Sequence, residues 1–227
     1  MPSIRTSRDL DMFYAGQPSD SLRFGDVVRG FVSATPEIDR PRFENVIGKL
    51  GEFGLAISRV PFSVVLSPCC SIADKMVSLA PLIQIRPGFL KNPYFAEDLT
   101  RINRLMEPEQ SVDPHTWKAL PEPEKQKRLA TGRAYALMEV FVYASHDLLP
   151  PYTLDRKEGN VKLNVYMVDF RQAYRVTCES IKSPQKQPLE AKYLELSVRA
   201  RRDLREKIAH YYGRTPQEDV AELQLIS

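Results

Sequence analysis

Phe62-Ser63-Val64-Val65-Leu66-Ser67 decides how this chain is read. The run is short, mostly apolar, and closed by Pro68, which has no N–H to give to a sheet ladder. That combination predicts a buried central strand. On its N-terminal side, Phe24–Ala34 predicts a strand that opens on the Gly25-Asp26 turn and carries Val27, Val28, Phe31 and Val32. A loop with Pro36 and Pro41 follows, then a strand over Phe53–Ile57. On its C-terminal side, Val77–Ile85 predicts a strand in which Pro81 implies a bulge or an edge.

Further out the pattern changes. Residues 1–21 are polar and broken by Pro2, Gly16 and Pro18, which predicts a flexible arm with Met12, Phe13 and Tyr14 as its anchors to the body. Residues 87–132 are punctuated by Pro87, Pro93, Pro108, Pro114, Pro121 and Pro123, leaving short helical patterns at Phe95–Met106 and Glu122–Leu129. They predict a helical insertion lying over one face of the sheet. Strands resume at Leu137–Ala144. A loop with Pro150, Pro151, Gly159 and Asn160 leads to Val161–Phe170 and Ala173–Ile181, a predicted hairpin with Asp169 and Arg171 near its connection. Leu194, Val198, Leu204, Ile208 and Tyr211 fall at helical spacing and predict a long C-terminal helix over 189–212, stopped by Gly213. Residues 215–227 read as a tail. The expected organisation is one α+β domain over 22–214, with strands at 24–86 and 137–181.

Composition sets outer limits. Hydrophobic residues at 43% and charged residues at 27% are those of an ordinary globular protein, which argues against disorder except at the ends. The net charge of +3 permits an anionic partner without requiring one. Three cysteines, two of them adjacent, do not make a disulfide framework. With no signal-peptide pattern and no run of 18 apolar residues, the expected location is the cytoplasm and no membrane partner is expected.

Ser67-Pro68-Cys69-Cys70-Ser71-Ile72 is the most distinctive local sequence. A cysteine just past a central strand can be activated by a nearby cation, with His146 or His210 as base. The competing reading, a buried cysteine packing as a small hydrophobe, is favoured because no nucleophile signature surrounds the pair. Adjacent cysteines do not form a Cys-x-x-Cys pincer, so no metal is expected. Gly25, Gly30, Gly48, Gly51 and Gly54 match no phosphate-loop or dinucleotide pattern, so no cofactor is expected.

The C-terminal helix carries Arg199, Arg201, Arg202, Arg205 and Lys207. Glu195, Arg199, Asp203 and Lys207 alternate in sign at spacings of four, and Arg202 precedes Glu206 by four, so most of these charges read as a solvated ladder. Arg201 and Arg205 lack a local partner. Arg201 also lies beside the apolar stripe, where a guanidinium needs a carboxylate or phosphate, and Asp169 is one candidate. Arg201, Arg205, Tyr211, Tyr212, Asp169 and Arg171 are therefore the candidate binding residues, with a structural or interface role favoured over nucleic-acid binding.

Two resemblances add to this. Gly25-Asp26-Val27-Val28, Pro61-Phe62-Ser63-Val64-Val65-Leu66-Ser67 and Val77-Ser78-Leu79-Ala80-Pro81-Leu82 are similar, in order, to motifs of the PemK/MazF-like family. The resemblance implies an SH3-like barrel over 24–86, here with a helical insertion over 87–132 and a long C-terminal helix. It also implies an RNA-cleaving toxin of a toxin–antitoxin pair, for which Arg59, Ser67 and Cys70 are the candidate catalytic residues. The family's arginine directly precedes the proline, whereas Val60 stands there and Arg59 is one place earlier; the threonine after the family's Pro-Ile is missing, and Gln84 follows Leu82-Ile83. RNA cleavage needs its base and its phosphate-stabilising cation in place, so the fold carries over and the activity does not. The second resemblance is to uncharacterised bacterial proteins with a Ser-x-x-Cys-Asp-Ile turn and a Val-Asp-Phe-Arg segment before a closing helix. Ser67–Ile72, with Ser71 in place of the aspartate, and Val168-Asp169-Phe170-Arg171 carry it. It implies an accessory component of a bacterial conflict or phage-defence locus. The expected function is non-catalytic binding of another protein of the same locus, or of nucleic acid; a divergent ribonuclease is the alternative.

Overall fold

The computed structural model describes residues 13–19, 21–30, 32–38, 53–68, 76–105, 112, 114–130, 137–155, 159–177 and 192–213. The fold is mixed α+β, an antiparallel sheet with a C-terminal helix. Its strands are β1 (Val27–Arg29), β2 (Val32–Ile38), β3 (Phe53–Arg59), β4 (Phe62–Val65), β5 (Met76–Gln84), β6 (Val140–Tyr143), β7 (Tyr152–Leu154), β8 (Val161–Leu163), β9 (Tyr166–Asp169), β10 (Tyr174–Thr177) and β11 (Lys192–Leu194). The main sheet runs β11-β1-β4-β5-β9-β6, and β10 also pairs with β5. The two-stranded pairs β2–β3 and β7–β8 stand apart from it.

The run that opens the sequence reading becomes β4, between β1 and β5, with Val64 and Val65 fully buried. The predicted strand at 24–34 is two strands. Gly30, at φ +86°, turns the chain out of the main sheet, and β2 pairs with β3 instead. Gly25 is also left-handed, at φ +85°, and a Cβ there would meet Leu196 Cδ1 at 2.7 Å. This is where the start of β1 meets the segment leading into the C-terminal helix.

Pro81 has its effect on the neighbouring strand. Ser78 turns both its N–H and its C=O toward the β4 side, to Ser67 Oγ and the Leu66 N–H. Backbone groups alternate along a strand, so Pro81, three residues on, points its missing donor at the opposite edge. On that edge β9 pairs with residues 82–84 and β10 with residues 76–79, both antiparallel. Between them a 3-10 turn, Phe170–Gln172, leaves the ladder. The predicted hairpin of 161–170 with 173–181 is therefore incorrect. β9 and β10 are one interrupted strand along β5, and the hairpin in this region is β7 with β8.

Helix α1 (Pro93–Glu97), α2 (Pro114–Ala119) and α3 (Glu122–Ala130) lie in the insertion. The continuous helix expected over Phe95–Met106 is α1 followed by a 3-10 turn, Leu99–Asn103. Asp98 breaks it by accepting the Thr100 N–H on its side chain. The insertion does cover a sheet face. Ile85, Phe89, Leu90, Phe95, Leu99 and Ile102 pack with Val140, Val142 and Met167. Asn103 adds an edge contact, pairing its side-chain amide with the Val142 backbone at 2.7 Å (Nδ2 to O) and 2.5 Å (N to Oδ1). Phe141 and Tyr143 face the other way, into a core with Val27, Val64, Leu82, Val168, Ala200 and Leu204. Both faces of β6 are buried, which is why Val140-Phe141-Val142-Tyr143 shows no polar alternation.

Helix α4 (Val198–Gly213) closes that second core. It begins later than the sequence predicts. Lys192–Leu194 pairs with β1, and Ser197 caps the helix by accepting the Ala200 N–H at 3.2 Å. Val198, expected on the apolar stripe, is 79% exposed; the buried face is Ala200, Arg201, Leu204 and Lys207. Of the N-terminal arm, residues 13–19 are held. Tyr14 bridges to Leu196 and gives its hydroxyl to the Ala144 carbonyl at 2.6 Å. Phe13 lies against Phe141 and Tyr143. This segment therefore spans from the end of β11 to the end of β6, the two margins of the main sheet.

Candidate functional site

The break in the β9–β10 strand builds a charged site. Asp169 is the last residue of β9, paired with Val140 across the ladder, and is 1% exposed. Its carboxylate caps the 3-10 turn by accepting the Arg171 N–H at 3.1 Å. It also takes both groups of one guanidinium edge, Arg171 Nε at 2.9 Å and Nη2 at 2.7 Å. The guanidinium of Arg86, just beyond β5, bonds the same carboxylate and lies 3.6 Å from Glu139. Burial alone would raise the pKa of Asp169. The hydrogen bonds from Arg171 and the charges of Arg171 and Arg86 outweigh it and hold the carboxyl below its usual range. Arg171, bonded to that carboxylate, is held protonated. An ionised carboxylate saturated by donors has little capacity as a base. Its effect is to fix two arginine heads.

The end of α4 completes the site. Tyr212 gives its hydroxyl to the Phe170 carbonyl at 3.1 Å, and the residue as a whole is 63% exposed. Tyr211 packs on Phe170 at 5.8 Å between ring centroids and on Tyr212 at 4.8 Å. Behind them Lys207, 1% exposed, gives its ammonium to the Ile102 carbonyl. Burial pushes its pKa down to about 7, against a smaller opposing effect of Glu139.

Asp169, Arg171, Tyr211 and Tyr212, four of the sequence-predicted binding residues, thus come together, with Asp169 buried beneath Arg171. Arg201 and Arg205 do not join them. Arg201 bonds Glu195 at 2.9 Å and the Leu196 carbonyl at 2.9 Å, so its partner is Glu195 and not Asp169. Glu195 also holds Lys192 at 2.6 Å, and Lys192 reaches Asp26 at 3.0 Å. In this buried cluster Asp26 is pushed up to about 6 by burial, partly offset by Lys192. Burial acts upward on Glu195 too, but bonds from Lys192 and Ser19 pull it to about 2. Arg205 is exposed with its guanidinium 5.6 Å over the Phe24 ring. The expected solvated ladder is corrected as well. Glu195 and Lys207 are buried, because one lies in the turn before α4 and the other on its inner face. Arg202 with Glu206, at 3.6 Å, is the exposed pair.

Sequence reading missed Arg86, Glu139 and Lys207. Lys207 alone carried a signal, since it stands three residues after Leu204 on the apolar side of the helix. Among the candidate catalytic residues, Arg59 is exposed at the end of β3, and Ser67 is buried with its hydroxyl accepting the Ser78 N–H at 2.8 Å. Cys69 and Cys70 lie outside the described residues. His146 accepts the Leu148 N–H on Nδ1 at 3.1 Å, and its pKa is lowered, chiefly by burial. Among the described residues no group of His, Cys, Asp and Glu is placed to hold a metal ion, and no helix is long and apolar enough to cross a membrane.

No known protein family, curated protein or solved structure matches this chain.

Proposed function

We propose that this chain is a non-catalytic binding component of a bacterial multi-protein system of the phage-defence kind. It meets another protein of its locus, or a nucleic acid, through the patch formed by Arg86, Asp169, Arg171 and Tyr212. The observation that carries the reading is the guanidinium of Arg171, fixed by a fully buried carboxylate and still 52% exposed. A long flexible cation ordinarily loses side-chain entropy when it binds. One already locked in place loses less, which suits a recognition residue. Tyrosine and arginine are the residue types that most often dominate contact energies.

The same reading takes the fold as a PemK-like, SH3-like barrel working in the cytoplasm. Its support is that β1, β4 and β5, which hold the three family-like motifs, are neighbouring antiparallel strands, and that the segment at Tyr14 reaches across the sheet margins. The occupied hydroxyl of Ser67 weighs against the ribonuclease alternative.

The experiment is affinity purification of the tagged chain from its native host, beside Tyr212→Ala, which removes an exposed side chain of the patch. The reading expects one or more stoichiometric partners that the variant loses while keeping its melting temperature. A strict monomer with no partner, or identical recovery by both proteins, counts against it. RNA cleavage by the purified chain that disappears in Arg59→Ala would replace it with the ribonuclease.

A further inference from the structure

A guanidinium has two edges able to take an oxyanion, one made by Nε and Nη2 and the other by Nη1 and Nη2. Asp169 occupies the first edge of Arg171. The second edge belongs to a half-exposed head whose Nη1 bonds nothing among the described residues. Four residues on, within about 14 Å by chain reach, Arg175 is exposed on β10 and has no carboxylate partner among the described residues. Tyr212 is tethered by its hydroxyl to the residue preceding Arg171 and remains exposed. Two exposed cations four residues apart, one in the 3-10 turn and one on β10, beside an exposed tyrosine whose ring meets Tyr211 at a steep angle, match a ligand with repeated negative charge and flat, unpaired rings. A protein hot spot is ordinarily built round a desolvated centre, and all three of these groups are wet.

We propose that the outer edge of Arg171, together with Arg175 and the ring of Tyr212, binds the phosphate backbone of a single-stranded nucleic acid, with a base stacked on Tyr212. The inference rests on reading this patch as the binding surface and names its ligand class. It concerns β10 and the end of α4, outside residues 24–86. Arg171 and Arg175 each neutralise one phosphate, Tyr212 adds sequence-tolerant stacking, and an open strand is required because a paired base offers no free face.

The test is fluorescence anisotropy with labelled oligo-deoxythymidine and oligo-uridine of about 12 nucleotides, within the site sizes of such binders. Salt is varied from about 50 to about 200 mM. Two phosphate contacts predict that log K falls with log salt at a slope near −1.4, and Arg171→Ala or Arg175→Ala each bring it to about −0.7. Tyr212→Ala lowers affinity by roughly 5- to 150-fold, the size of one stacked base, with the slope unchanged. Arg202→Ala, which removes an exposed cation paired with Glu206, leaves binding unaltered. Melting temperatures accompany each variant; Arg175 and Tyr212 are exposed, so their variants remain informative if Arg171→Ala unfolds.

No oligonucleotide binding at the lowest salt overturns the inference. So does binding indifferent to Arg175 and Tyr212, or equal affinity for duplex. Binding of poly-glutamate that is lost with Arg171 likewise overturns it, while leaving the patch as a protein-binding surface. A lack of any ligand in both assays removes the binding reading itself.

Discussion

Replacing Lys207 by methionine isolates one buried charge. The ammonium is 1% exposed on α4, held by a single carbonyl from the insertion, and its pKa lies near 7 against an ordinary 10.5. Between those two values the unfolded chain holds a proton that the folded chain has released. Stability therefore rises with pH across the window and falls as pH drops through the folded value. Each pH unit inside the window is worth at most about 1.4 kcal/mol, so from pH 7.5 to 9.5 the gain approaches ~2–3 kcal/mol. Tyr14, Tyr143 and Tyr152, whose pKa values burial raises, act in the opposite direction only as the unfolded tyrosines ionise near pH 10. Methionine fills nearly the same volume and does not titrate. It forfeits the bond to Ile102, a cost of about 1 kcal/mol. Lys207→Met is thus expected to be less stable than wild type at pH 9.5 by about that amount, and more stable at pH 6 by roughly 2–4 kcal/mol. Urea denaturation at pH 6, 7.5 and 9.5 reads this directly, as a crossing of the two stability curves. Parallel curves, with a constant difference at every pH, would refute the reasoning, because they would mean that the amine titrates alike in both states.

Gly25→Ala combines a left-handed backbone with a Cβ placed 2.7 Å from Leu196 Cδ1. It should lower stability by about 2–4 kcal/mol, read as a fall in denaturation midpoint at unchanged slope. Glu195→Gln takes the charge from a side chain that serves Lys192, Arg201 and Ser19 together. Two buried cations then lack full compensation, and thermal unfolding at neutral pH should show a loss of about 3–5 kcal/mol; a loss under 1 kcal/mol would mean the cluster is well solvated.

Legibility in the sequence followed how local each signal was. Phe62–Ser67 and Val77–Ile85 were readable because a short apolar run bounded by a breaker has few alternatives, and β4 and β5 fall inside those bounds to within a residue or two. The start of α4 was not. Leu194 and Val198 fit helical spacing, yet Lys192–Leu194 also fits a strand, and pairing with β1 decided between them. Pro81 announces a bulge or an edge without saying on which strand, and nothing local separates the turn at Phe170–Gln172 from the corner of a hairpin. For the site, Val168-Asp169-Phe170-Arg171 and the tyrosines at the helix end were visible as candidates. Arg86 reaches Asp169 from far away in the chain, Glu139 lies beside that arginine, and nothing near either in sequence marks it. Glu195 and Lys207 depart from the ladder for related reasons: spacing of four tells neither where the helix starts, which leaves Glu195 outside it, nor which side of it is covered, which buries Lys207.

The registry of β1 sets a schedule for the newborn chain. Val27 lies between Val64 and Leu194, so one of its partners is made soon after it and the other much later. At about 5–20 residues per second, the roughly 170 residues separating Val27 from Leu194 take on the order of 10–30 s to emerge. Through that interval one margin of β1 waits without its neighbour, a row of unpaired backbone groups open to any passing strand.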